Sequence, residues 1–141
     1  MNERIKVLLV DDDFGLRTAW EKLIRTQKDM ELVCSLDRAD EVVSIALDTK
    51  AQVVLLDLTM GGRDPLEVVA ELVEQSDAVR VVVYSGHSDQ RTVQLAIDAG
   101  AWGFADKLDP PLDVLETLRV VARGEVVFPR GRASRPLSPE K

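Results

Sequence analysis

QVVLLDLTM, residues 52–60, is the segment of this chain that most clearly indicates its fold. Its short apolar run stops at Asp57 and leads into Gly61 and Gly62. Such a run, bounded by turn residues, is typical of a strand buried on both faces in the middle of a parallel sheet. Because open α/β sheets bind ligands at the carboxyl ends of their strands, Asp57 is predicted to lie at the centre of the functional site.

The rest of the chain repeats a strand-then-helix pattern around this stretch. Further apolar runs of strand length lie at 5–10, 30–36, 79–84 and 101–106. A segment with helical apolar spacing follows each of the five runs. Five strands alternating with five helices predict an α/β fold, namely a doubly wound five-stranded parallel sheet of the flavodoxin-like (βα)5 type with strand order 2-1-3-4-5.

The third helix has the clearest start signal. Asp64 is predicted to cap it, and Pro65 is predicted to occupy its first turn. Its inward face is predicted to be formed by Leu66, Val69, Ala70, Leu72 and Val73.

The composition is that of an acidic, single-domain protein. The chain has 141 residues and a formal net charge of −7, which argues against binding of nucleic acid or an anionic membrane surface. Residues 1–124 are predicted to form the folded domain, and residues 125–141 a linker or disordered tail. No apolar run is long enough to span a membrane. The one cysteine, Cys34, fits a reducing compartment, so the cytoplasm is the predicted location.

Polar side chains collect at the predicted strand ends. Asp11 and Asp12 follow the first strand, Asp57 ends the third, Ser85 follows the fourth and Lys107 follows the fifth. The predicted order places strands 1 and 3 side by side, so the three carboxylates are expected to be neighbours. Their mutual repulsion favours a bound cation, and oxygen ligands with open positions suit Mg²⁺.

This set of residues permits phosphoryl transfer to a carboxylate, which gives an acyl phosphate. The metal and Lys107 would offset the charge on the phosphoryl oxygens while Asp57 attacks in line. Each residue also has an ordinary structural explanation: the acids at 11–13 can cap a helix, Ser85 can form a turn and Lys107 can be a solvated charge. Their combination at one edge of the sheet favours the functional explanation.

Four segments carry a family resemblance: VLLVDDDFGLR at 7–17, VVLLDLTM at 53–60, VVVYSGHS at 81–88 and AGAWGFADK at 99–107. Together they resemble the receiver domain of two-component response regulators, and the resemblance extends from residue 5 to about residue 123. It implies that Asp57 is the phospho-acceptor.

The resemblance also implies a ligand set for Mg²⁺ or Mn²⁺. Asp12, Asp57 and the backbone carbonyl of Thr59 would bind the ion directly, and Asp11 would act largely through metal-bound water. Lys107 matches the lysine of the family's site.

Other positions match the family's switch and tuning residues. Ser85 corresponds to the hydroxyl residue that hydrogen-bonds the phosphoryl group and moves on activation, and Phe104 to the aromatic switch residue. Thr59 and His87 fall where family members tune hydrolysis of the acyl phosphate.

Two departures from the family pattern are visible. Met60 is followed by Gly61 where the family often has proline, and the loop then continues to Pro65. Lys107 is followed by Leu108 and not by proline. The second variant is similar to the NarL/FixJ-type subfamily, whose receivers precede a helix-turn-helix DNA-binding domain.

The resemblance implies a phosphorylation-operated switch and not an enzyme that acts on external substrates. A histidine kinase, a phosphotransfer protein or a small phosphodonor would phosphorylate Asp57. The face formed by the fourth helix, fifth strand and fifth helix would then change, and with it a homodimer contact or a transcriptional output domain outside this chain. Two alternatives stay open. One is a pseudo-receiver scaffold that binds partners without phosphorylation. The other is a Mg²⁺-dependent aspartyl phosphatase of the haloacid-dehalogenase type, which needs Asp-x-Asp at the first strand end.

Overall fold

The computed structural model describes residues 3–129. Strands and helices alternate along it as β1 (Ile5–Val10), α1 (Phe14–Arg25), β2 (Met30–Leu36), α2 (Val42–Thr49), β3 (Val53–Asp57), α3 (Pro65–Gln75), β4 (Arg80–Ser85), α4 (Gln90–Ala99), β5 (Gly103–Asp106) and α5 (Pro111–Ala122). The strands are parallel and lie in the order β2-β1-β3-β4-β5. The predicted fold class and strand order are confirmed.

Two hydrophobic cores lie on opposite faces of the sheet. On one face, Val54 and Leu56 of β3 pack with inward side chains of α2, α3 and α4. On the other, Val53 and Leu55 pack with those of α1 and α5. Consecutive residues of a strand point to opposite faces. Every side chain of β3 therefore meets a covering helix layer, which explains its continuous apolar run.

Aspartate side chains cap three of the helices, including α3 at the predicted Asp64. Asp13, Asp64 and Asp89 each accept a hydrogen bond from a backbone N–H in the first turn of α1, α3 and α4. Pro65 opens α3, where its missing N–H leaves no helical hydrogen bond unmade. None of the helices in the described part of the chain is long and apolar enough to cross a membrane.

The buried face of α3 differs in part from the predicted one. Val69 and Leu72 are buried as expected, and Val68 is buried with them. Ala70 is exposed, and Val73 is 46% exposed. The face of α3 that packs against the sheet includes only some of the apolar residues of the helix. Ala70 and Val73, at the edge of that face, are exposed to solvent.

The chain continues past residue 124 along the outer edge of β5. Val127 forms a parallel bridge with Gly103, and Phe128 packs against the core on the α4 face. The first residues of the predicted linker therefore contact the folded body. The rest of that tail, 130–141, lies outside the described residues, and the division of the chain at residue 124 stays a prediction.

Candidate functional site

Asp57 ends β3 at the carboxyl edge of the sheet and is only 1% exposed. Its Oδ1 accepts hydrogen bonds from the backbone N–H and the hydroxyl of Thr59, at 2.9 and 3.0 Å. Its Oδ2 lies 3.1 Å from Nζ of Lys107. The carboxylate is thus held from two sides, and a carboxylate with a fixed orientation is well suited to act as a nucleophile.

Two further acids stand beside Asp57. Asp11 directly follows β1, the neighbour of β3, and is buried, whereas Asp12 is exposed. Carboxylate oxygens of the three residues lie within 4.8 Å of one another. One oxygen of Asp11 accepts the N–H of Asp13, while Oδ2 is buried with no hydrogen-bond partner among the described residues. Such an oxygen is costly to bury unless a cation or a proton meets it.

The charge balance of this cluster fits a divalent cation. Burial raises the pKa of Asp11 to about 6, and the neighbouring Asp57 carboxylate acts in the same direction, against the Asp13 N–H and Lys107. A bound cation would favour the ionised form of both acids. Carboxylate oxygens on a partly open edge are ligands that suit Mg²⁺. The donors present therefore fit the predicted ion, and the share of the Thr59 carbonyl stays a prediction.

Lys107 lies over the ring of Tyr84, which is hydrogen-bonded to Trp20. The sequence did not predict this buried aromatic pair. Nζ of Lys107 lies 5.6 Å from the ring centroid of Tyr84, and the indole N–H of Trp20 donates to the Tyr84 hydroxyl at 3.2 Å. Burial lowers the pKa of Lys107, but the hydrogen bond and charge of Asp57 outweigh it, so this pKa lies above its usual value. Lys107 therefore stays protonated beside Asp57. The only sequence signal for the pair was an aromatic residue directly before Ser85.

Ser85 and Phe104 make no hydrogen bond to Asp57 within residues 3–129. The Ser85 hydroxyl donates to the carbonyl of His87 at 3.1 Å and accepts the His87 N–H at 2.9 Å. The Phe104 side chain is buried in the core on the α4 face, and His87 is exposed. The structure thus joins the acids and Lys107 directly, and leaves Ser85 turned toward its own loop.

The loop between β3 and α3 departs from the family pattern but is firmly anchored. Asp40 accepts the backbone N–H of Arg63 at 2.9 Å and also pairs with the Arg38 guanidinium. The Arg63 side chain pairs with Glu71 on α3 at 2.7 Å. Gly62 has φ +89°, and a Cβ there would collide with the Asp40 carboxylate. A glycine is therefore required for the loop to close over Asp40.

Comparison with known proteins agrees with this geometry. The family described as response regulator receiver domain matches residues 7–119. The nitrate/nitrite response regulator protein NarL of Escherichia coli K12 is 34% identical over 126 residues, covering 89% of this chain and 58% of that protein. Its homolog in Haemophilus influenzae is 31% identical over 128 residues, covering 91% and 62%. The chain therefore spans about three fifths of the length of these relatives.

Solved structures show the same fold. A two-component response regulator of the LuxR family from Aurantimonas sp. SI85-9A1 superposes with a TM-score of 0.83 at 22% identity, covering 89% of each chain. The isolated REC domain of RcsB from Salmonella enterica serovar Typhimurium, in the presence of the phosphomimetic BeF3⁻, gives a TM-score of 0.81 at 16% identity. That comparison covers 91% of this chain and 95% of the RcsB domain.

Proposed function

The chain belongs to the response regulator receiver domain family, and on that premise we propose that it is a signalling switch operated by phosphorylation of Asp57. Domains of this family are regulatory parts of two-component systems. One observation carries the proposal: the Asp57 carboxylate is fixed by Thr59 and Lys107 beside Asp11 and Asp12. A scaffold that only binds partners has no need of this arrangement.

In the proposed reaction, an oxygen of Asp57 attacks the phosphorus of a phosphohistidine on a kinase or phosphotransfer protein, or of a small acyl phosphate. A P–O bond to Asp57 forms while the bond from phosphorus to the donor breaks, and the donor leaves with that electron pair. A phosphohistidine leaves as imidazole, with its ring protonated from solvent as needed, and an acyl phosphate leaves as its carboxylate. Lys107 offsets charge on the phosphoryl oxygens. When held by Asp11, Asp12 and Asp57, Mg²⁺ or Mn²⁺ adds further charge neutralisation.

Switching would begin at Ser85. Its hydroxyl exchanges the hydrogen bonds to His87 for one to the phosphoryl group, and Phe104 and the surface of α4, β5 and α5 follow. The Thr59 hydroxyl donates to Asp57, and the His87 N–H donates to Ser85; these contacts support a role for both residues in tuning loss of the phosphoryl group. Structural neighbours described as a DNA-binding response regulator and as RcsB bound to a promoter support a transcriptional output for the longer protein type.

Intact-mass measurement after incubation with acetyl phosphate and MgCl₂ tests the acceptor. We expect an adduct of about 80 Da on the wild-type chain, lost in Asp57→Asn and in excess EDTA. Asp98→Asn, which removes an exposed acid on α4, is the matched control and should keep the adduct. An unmodified wild-type chain, or equal adducts on wild type and Asp57→Asn, would refute the proposal. Turnover of a phosphomonoester would support the phosphatase alternative.

A further inference from the structure

Residues 125–129, called here the edge segment, follow the free side of β5. Gly124, with φ +95°, turns the chain out of α5. Val127 then donates its N–H to the carbonyl of Trp102 at 3.0 Å and accepts the N–H of Phe104 at 2.9 Å. As β5 ends the sheet, its outer backbone groups would otherwise be open to pairing with another chain. The edge segment occupies that position.

The edge segment and the loop after β4 form two walls of one cavity of about 330 Å³. Its lining includes Val127 and Phe128 of the edge segment, Ser88 of the loop, and Phe104 and Thr117. Phe128 also packs against the core that contains Phe104. Because the loop and the edge segment border the same cavity, a shift of the loop would change the surroundings of the edge segment.

The same loop contains the partners of Ser85. The Ser85 hydroxyl is bonded to both the carbonyl and the N–H of His87, one residue before Ser88. If Ser85 turns toward a phosphoryl group on Asp57, these two bonds break and the loop rearranges. The wall formed by Ser88 then moves with it.

We propose that the edge segment is a phosphorylation-sensitive strap, bound along β5 while Ser85 faces His87 and released when Asp57 is phosphorylated. The inference rests on the proposed function. If the loop moves away from the shared cavity, the edge segment is attached to β5 mainly by the two backbone hydrogen bonds of Val127. Segments of such low local stability are the ones that detach in conformational switches. Release frees the β5 edge and changes the direction in which the chain leaves the domain.

Hydrogen exchange of the full chain, measured with and without acetyl phosphate and MgCl₂, tests the strap. We expect the amides of Phe104 and Val127 to exchange about tenfold faster after phosphorylation, while that of Leu55 in β3 is unchanged. Intact mass of the same samples separates the two ideas. If the chain carries the adduct but exchange at these amides is unchanged or slower, the strap proposal is wrong and the proposed function stands. Slower exchange would indicate tighter binding of the edge segment, or a second copy of the chain paired with the edge. A chain without the adduct overturns both.

Linkage supplies a second test, because binding at two coupled sites is reciprocal. Val127→Pro removes the N–H bonded to Trp102. It should bind beryllium fluoride, an acyl-phosphate analogue, several-fold more tightly than wild type in MgCl₂. Val126→Pro is the matched control, because the Val126 N–H makes no hydrogen bond within the described part of the chain, and it should stay within about twofold of wild type. Equal affinities of wild type and Val127→Pro would overturn the strap.

Discussion

Replacing Asp11 by asparagine should stabilise the metal-free protein at neutral pH. The amide oxygen introduced by Asp11→Asn can accept the Asp13 N–H as the Asp11 carboxylate does. The new amide N–H would lie beside Asp57, because carboxylate oxygens of Asp11 and Asp57 lie within 4.8 Å of each other. The substitution removes one buried negative charge from a cluster of three acids.

The raised pKa of Asp11 sets the magnitude. A carboxyl group whose pKa rises from 3.8 on folding to about 6 binds its proton more tightly in the native state. Its contribution to stability therefore falls as pH rises between these two values and stays low above them. The full shift corresponds to about 3 kcal/mol at pH 7, so we expect a gain of about 1–3 kcal/mol and a Tm higher by about 4–10 °C.

Thermal unfolding in EDTA, followed by circular dichroism from pH 4 to pH 8, measures the effect. Wild type should lose stability as pH rises from 4 to 7, and Asp11→Asn should not, so that the two converge near pH 4. MgCl₂ should raise the Tm of wild type more than that of the variant. The control is Asp12→Asn, which removes an exposed acid and should change metal-free stability by less than about 0.5 kcal/mol. An Asp11→Asn protein no more stable than wild type at pH 7, with the same pH dependence, would refute the reasoning.

Two further substitutions test the parts of the site that hold its geometry. Gly62→Ala should destabilise the protein by about 1–3 kcal/mol in chemical denaturation, because the residue has a positive φ and a Cβ would meet Asp40. Gly61→Ala, with nothing within 4 Å of the added carbon, should be near neutral, and equal losses would contradict the loop anchor. Tyr84→Phe should cost about 1–2 kcal/mol because it leaves the buried Trp20 N–H without its acceptor. The double variant Trp20→Phe/Tyr84→Phe should lose less stability than the sum of the losses of the two single variants. A loss equal to that sum would contradict the coupling between the two side chains.

Much of the fold is readable from local patterns. The run at 53–57 has the length and composition of a doubly covered strand, and Asp64 with Pro65 marks a helix start without reference to any distant residue. Since parallel strands joined by helices place all their carboxyl ends at one edge, the meeting of Asp11 with Asp57 follows from the strand order alone.

Positions that depend on a distant partner were not readable in this way. Val73 has the same apolar character as Val68, yet only Val68 reaches the sheet. Thr59 was expected to contribute its carbonyl to a metal, and the structure adds a contact of its N–H and hydroxyl with Asp57. The role of Asp40 in closing the loop at Gly62 arises between segments far apart in the chain.

Local patterns alone predict a five-stranded fold with acids and a lysine along one edge of the sheet, because periodicity and strand-end residues are local properties. The contacts that hold Asp57, the aromatic pair beside Lys107 and the path of residues 125–129 depend on the packing of distant segments. Those residues carry few pattern signals of their own, and they lie along the sheet because β5 presents an open row of backbone groups beside a core that accepts Phe128. Pairing between segments is set by three-dimensional proximity, which a local pattern does not encode.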